Sequence, residues 1–88
     1  MNVTSDLVGK RVRINSALGP IERVVAGVFT ARKGNYSYDC VEICTEDEYR
    51  TAVAEEREAK TIGFRGHDII EVLGDATLRA FLGEGGGK

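Results

Sequence analysis

The amino-acid sequence predicts a small, mostly β domain: five short antiparallel strands in one strongly bent barrel. Residues 10–15 alternate, with Val12 and Ile14 on one face and arginines on the other, as in a half-buried strand. Residues 21–31 are rich in valine and phenylalanine, which favours strand over helix. The chain has 88 residues, so these runs and the turns between them fit a single domain.

The next elements continue the β pattern. Leu18, Gly19 and Pro20 form a turn before residues 21–31, and a second turn at residues 32–35 precedes a strand at residues 36–44. Gly27 lies in the middle of its strand and predicts a bend or bulge there, as a strongly curved sheet requires.

Residues 45–60 show a helical pattern in place of the strand pattern. Thr45 and Glu48 match a capping box, and Tyr49, Ala52 and Val53 share a helical stripe, which together predict a helix of two to three turns at about residues 46–58. Glu56 and Lys60 would form a favourable i,i+4 pair on it. A long, charged hairpin excursion is the alternative.

Two short apolar runs follow, at residues 61–64 and 68–73. Arg65, Gly66 and His67 separate them, which predicts a tight strand pair. Asp75 can cap a short final helix that carries Leu78, Phe81 and Leu82 and ends at Gly83. The domain therefore spans residues 1–83, with a flexible tail at 84–88. Five strands with short turns suggest a small barrel of SH3-like or OB-like type.

The charge and the cysteine content of the chain bear on which ligands and which location we expect for it. The net charge of −2 argues mildly against an autonomous nucleic-acid binder, but basic residues dominate the first 34 positions and could form a local basic surface. Cys40 and Cys44 lie on one strand face, too far apart to pair easily, which predicts free thiols and an intracellular location. No apolar run is long enough to span a membrane.

No catalytic constellation is visible in the sequence. His67 is the only histidine, and spacing places no nucleophile or carboxylate partner beside it, so an exposed turn histidine is the favoured interpretation. No Cys/His cluster suggests a metal site, and no cofactor is predicted. We therefore expect a binding protein rather than an enzyme.

Two segments resemble the motifs of the Sm and Sm-like protein family. Residues 25–31 with Asn35 and residues 39–42 resemble the first motif, and residues 64–70, with Arg65 and Gly66 between apolar runs, resemble the second. The resemblance covers residues 7–72. The first loop is shorter than the family pattern: no aspartate precedes it, Lys33 stands where a base-stacking ring is expected, and Gly34 replaces an apolar residue.

The resemblance implies a bent five-stranded sheet that assembles into rings, with itself or with other Sm-like subunits, around single-stranded RNA. It implies RNA contacts from Asn35, Arg65 and Gly66, with Arg32 and Lys33 adding charge for the backbone. It also implies pairing of the fourth and fifth strands between neighbouring subunits, through Ile62, Phe64, Ile69, Ile70 and Val72.

The sequence leaves two alternatives open for the roles of these residues. Asn35 can serve only the turn and Arg65 can be a solvated charge, in which case the chain is an Sm-like or SH3-like scaffold that binds protein partners without RNA. Tyr36 and Tyr38, on one strand face, can stack on bases, although packing in a core or an interface is the more common role.

Overall fold

A computed structural model describes residues 3–75 of the chain. Its elements are a 3-10 turn at Ser5–Leu7, strands β1 (Lys10–Ser16), β2 (Gly19–Lys33) and β3 (Tyr36–Cys44), helix α1 (Glu46–Glu55), strand β4 (Ile62–Arg65), a second 3-10 turn at Gly66–Asp68 and strand β5 (Ile69–Asp75). The predictions of a mostly β fold, five strands and one internal helix are confirmed. The short C-terminal helix and tail predicted for residues 76–88 lie outside the described residues.

The five strands form one antiparallel sheet in the order β4-β3-β2-β1-β5. Within residues 3–75 the sheet is open, because β4 pairs only with β3 and β5 pairs only with β1. The prediction that residues 61–64 and 68–73 form a tight strand pair is therefore wrong. The 3-10 turn at Gly66–Asp68 sends the chain to the opposite edge of the sheet instead of reversing it.

Strand β2 is 15 residues long and bridges both halves of the sheet. It pairs with β1 through its first part and with β3 through its remainder. The pairing with β3 slips between Val25 and Gly27, so Ala26 is the extra residue of a β-bulge. The bend predicted at Gly27 is confirmed as this bulge, which increases the local twist of a long strand.

One face of the sheet carries the hydrophobic core. Val12, Ile14, Val25, Val41 and Ile43 are all fully buried, and Leu7 from the N-terminal 3-10 turn joins them. The predicted alternation of β1 is thus confirmed, since its arginines lie on the other face. There they reach carboxylates on both neighbours: Arg13 contacts Glu71 of β5 at 2.5 Å and Glu22 of β2 at 3.9 Å.

Helix α1 begins at the predicted capping box, where the Thr45 hydroxyl accepts a hydrogen bond from the Glu48 backbone N–H at 3.1 Å. The helix ends at Glu55, because Glu56 takes a left-handed conformation with φ of 54°. The predicted i,i+4 pair between Glu56 and Lys60 therefore has no helix to support it. No helix in residues 3–75 is long and apolar enough to cross a membrane.

Arg57 anchors the segment that follows the helix. Its guanidinium contacts Glu48 and Glu55, each at 2.7 Å, and the Lys60 backbone N–H donates to Glu48 at 2.8 Å. These hydrogen bonds lower the pKa of Glu48 to about 2, with the Arg57 side chain as the main cause. The Glu48 carboxylate thereby ties the segment before β4 to the first turn of α1.

Candidate nucleic-acid interface

The β2–β3 hairpin forms one end of the outer face, which is the face of the sheet opposite the core. Lys33 pairs with Tyr36 across a two-residue turn of Gly34 and Asn35, and Gly34 has a φ of 61°. A positive φ at the first central residue alone is the pattern of a type II′ turn, which matches the twist of a hairpin and favours glycine there. The turn geometry therefore explains Gly34 without any ligand.

Strand register brings four side chains to the outer face at this end. Directly paired residues share a face, so Tyr36 lies beside Lys33, Tyr38 lies beside Ala31, and Arg65 of β4 lies beside Cys40. The Arg65 guanidinium lies over the Tyr38 ring, 4.1 Å from its centroid. We call Lys33, Tyr36, Tyr38 and Arg65 the aromatic–basic surface.

The aromatic–basic surface is open to solvent. Its four residues, with Ser37, line a cavity of about 340 Å³. Tyr36 is 77% exposed, so it contributes little to packing within the chain. Among residues 3–75, neither Lys33 nor Arg65 has a carboxylate partner. Exposed aromatic rings beside unpaired cations can stack on planar groups and attract phosphates at the same time.

The structure distributes the five residues expected to contact RNA over four environments, of which the buried turn at Gly66 is the fourth. Lys33 and Arg65 belong to the aromatic–basic surface. Asn35 is exposed in the hairpin turn and does not line the cavity, and exposed Arg32 pairs with Ser37 and so lies on the opposite face from Lys33. The five residues expected to contact RNA thus do not form one cluster.

Gly66 has a structural reason to be glycine. It is buried, and a Cβ atom at this position would overlap the Val3 side chain and lie 3.2 Å from the Asp39 carbonyl oxygen. The N-terminal segment therefore packs closely over the turn between β4 and β5. Gly66 contributes to this packing rather than to an accessible surface.

The residues expected at a subunit interface also divide by environment. Ile62 of β4 is 60% exposed, and Ile70 and Val72 of β5 are 52% and 37% exposed. By contrast, Ile69 is part of the core and Phe64 packs against it. Each unpaired edge strand of the sheet therefore carries at least one large exposed apolar side chain.

Tyr36 and Tyr38 are functional candidates that the sequence analysis left outside the expected RNA contacts. Alternation places both on one face of β3, but it cannot tell whether another element covers that face. The structure shows that α1 packs against β2 and that, within residues 3–75, Tyr36 stays exposed while the Arg65 guanidinium lies over the Tyr38 ring. Two tyrosines on one strand face, next to Lys33 across the turn, are the sequence signal that could have identified them.

The remaining reactive side chains are placed as follows. The His67 side chain is 69% exposed, with its Nε2 atom 3.5 Å from Asp68. Cys40 and Cys44 are free, as predicted, and both are buried. Burial is the main cause that raises the pKa of the Cys44 thiol, and the negative charge of Glu48 adds to it. Within residues 3–75, no three His, Cys, Asp or Glu side chains group closely enough to hold a metal ion.

Comparison with known proteins identifies no relative of this chain. No protein-family model, no curated protein and no solved structure matches the chain.

Proposed function

We propose that this chain is an Sm-like RNA-binding subunit, which forms a ring from copies of itself and binds single-stranded RNA through the aromatic–basic surface. The observation that carries the RNA proposal is the arrangement of Arg65 over Tyr38, with Tyr36 and Lys33 exposed beside them. Single-stranded nucleic acids expose base faces that stack on such rings, whereas duplexes hide them.

The local charge supports a polyanionic ligand despite the acidic composition. The chain carries 14 acidic and 12 basic side chains, but Arg32, Lys33 and Arg65 have no carboxylate partner among residues 3–75. Neighbouring subunits would multiply this local positive charge along a bound strand. Affinity would then fall steeply with salt concentration, because phosphate contacts release counterions.

The open sheet supports the ring. An unpaired edge strand exposes backbone hydrogen-bonding groups and promotes association with another strand. Among the described residues there are two such edges, β4 and β5, on opposite sides of the sheet. Pairing β4 of one copy with β5 of the next is a head-to-tail contact, which closes into a ring when the rotation per subunit allows it. The strong bend that the Sm-like resemblance implies for the sheet would supply that rotation.

The test compares two variants that each remove one exposed apolar side chain. Tyr36→Ser alters the aromatic–basic surface, and Leu18→Ser alters a 96% exposed residue of the β1–β2 turn. We expect Tyr36→Ser to weaken the binding of a fluorescein-labelled oligouridylate by about 5- to 150-fold in fluorescence anisotropy, since stacking on one base is worth about 1–3 kcal/mol. Leu18→Ser should bind like the wild type. Equal binding by all three proteins would exclude this surface as the RNA site.

A scaffold that binds only proteins is the second candidate. The observation that favours it is the exposure of Ile62, Ile70 and Val72 along both sheet edges, since apolar edges serve protein contacts and contribute nothing to RNA binding. Wild-type protein that binds no oligouridylate at low salt would favour this candidate. An intracellular location, with Cys40 and Cys44 kept reduced, is common to both candidates.

A further inference from the structure

A second cavity lies between α1 and the outer face of the sheet. It measures about 300 Å³, and its walls are mostly small or apolar side chains, with one carboxylate from the sheet. The lining residues that matter here are Ala26, Glu42, Tyr49, Ala52, Val53 and Ala59. We call this cavity the α1 groove.

Glu42 lies in the α1 groove with glycine on both sides. It is on β3, and its direct partners are Gly27 on β2 and Gly63 on β4. Because paired residues share a face, neither direct partner places a side chain beside the Glu42 carboxylate, and on the Gly63 side the Phe29 ring occupies the space above the glycine. Its Oε1 atom lies 2.5 Å from the place where a Cβ atom of residue 27 would be. Glycine at position 27 therefore makes room for the carboxylate in the groove.

The Glu42 carboxylate has no partner within residues 3–75. No hydrogen bond or ion pair from this region reaches it. Of the described residues, Arg57 is the one cation that lines the groove, and Glu48 and Glu55 already bind its guanidinium. Glu58 adds a further carboxylate to the lining. The groove therefore presents uncompensated negative charge between apolar walls.

We propose that the α1 groove binds an arginine or lysine side chain from a partner protein. The cationic head would pair with Glu42, and the methylene stem would pack on Ala52, Val53 and Ala59, which matches the two-part chemistry of a long basic side chain. The Tyr49 ring, also in the lining, offers a second contact for a cation. The negative charge repels phosphate, so RNA is not the occupant.

This proposal is independent of the RNA proposal, because the two surfaces share no lining residue. The groove is closed by α1 and the segment after it, whereas the aromatic–basic surface belongs to the β2–β3 hairpin and Arg65. Failure of one proposal would leave the other intact.

The experiment titrates ¹⁵N-labelled full-length protein with the peptide acetyl-Ala-Arg-Ala-amide and follows backbone amide shifts. We expect saturable shift changes at residues around the groove, including Glu42 and Val53. The citrulline peptide acetyl-Ala-Cit-Ala-amide keeps the shape of arginine without its charge and should cause none. In Glu42→Gln the affinity should fall about tenfold, the loss expected for one charge-assisted hydrogen bond. Asp47→Asn removes an exposed carboxylate of α1 that does not line the groove, so this variant should bind the peptide like the wild type.

Four results would overturn the proposal. Equal shifts with the citrulline peptide would mean that charge does not direct binding. Unchanged affinity in Glu42→Gln would place the arginine elsewhere. Shift changes at residues 76–88 caused by Glu42→Gln without any peptide would mean that the chain's own C-terminal segment occupies the groove, and concentration-dependent shifts would indicate a second copy.

Discussion

Arg65→Ala is expected to change RNA binding more than folding stability, and the structure sets the size of both effects. The Arg65 guanidinium lies 4.1 Å from the Tyr38 ring centroid at an exposed position of an edge strand. A cation–π contact at an exposed site contributes about 0.5–1 kcal/mol. No ion pair of Arg65 within residues 3–75 would be lost with it. The free energy of unfolding should therefore fall by about 1 kcal/mol or less.

The loss in RNA affinity should be larger. If Arg65 and Tyr38 hold one base or phosphate together, removing the guanidinium should cost about 1–3 kcal/mol of binding free energy, or about 5- to 150-fold in Kd. Arg65→Lys retains the charge but loses the planar stacking group, so it should recover only part of the affinity. The slope of binding against salt concentration should decrease for Arg65→Ala and stay nearly unchanged for Arg65→Lys.

A double-mutant cycle separates the two effects. Arg65→Ala, Tyr38→Leu and the double variant are compared by urea denaturation and by fluorescence anisotropy with labelled oligouridylate. The stability cycle should show a coupling of about 0.5–1 kcal/mol, because the pair is in contact. Arg50→Ala, which removes an exposed cation from α1, controls for net charge.

The opposite outcome is that Arg65→Ala lowers the free energy of unfolding but leaves the affinity for oligouridylate unchanged. If Arg65→Ala unfolds more easily but binds oligouridylate like Arg50→Ala, the pair of Arg65 and Tyr38 is structural only. The aromatic–basic surface would then not be an RNA site.

Two further predictions concern the scaffold. Gly66→Ala should lower the free energy of unfolding by about 1–3 kcal/mol in urea denaturation, because its Cβ atom would overlap Val3; Val3→Gly in the same chain should restore part of the loss, and no recovery would count against that contact. Glu48→Gln should lower the melting temperature at neutral pH. Folding lowers the pKa of Glu48 from 4.5 to about 2, so the stabilisation is complete above pH 4.5 and is lost as pH falls towards 2. The difference in melting temperature between Glu48→Gln and the wild type should therefore disappear as pH falls over that range. A difference that stays constant would contradict the lowered pKa of Glu48.

Local features of this fold could be predicted from the sequence because their causes are local. The alternation around Val12 and Ile14 reports which face of β1 is buried. Thr45 and Glu48 determine where α1 begins, since their hydrogen bond spans only three residues. Gly27 predicted a bend because few other reasons place glycine inside a valine-rich strand.

Strand partners could not be predicted in the same way, because pairing depends on contacts between distant residues. Arg65, Gly66 and His67 resemble a tight hairpin turn when only their neighbours are considered. The actual 3-10 turn follows from the burial of Gly66 beneath Val3, which lies 63 positions earlier in the sequence. The tyrosine face was ambiguous for a similar reason, since only the position of α1 shows that Tyr36 stays exposed.

The most direct test of the proposed ring is the native mass of the wild-type chain in solution. The proposed ring requires that β4 of one copy pairs with β5 of the next. Native mass spectrometry at micromolar concentration should therefore give one dominant species whose mass corresponds to two or more copies of the 9.6 kDa chain. A single species of 9.6 kDa would contradict the account, because both edges would then be stable without a neighbour.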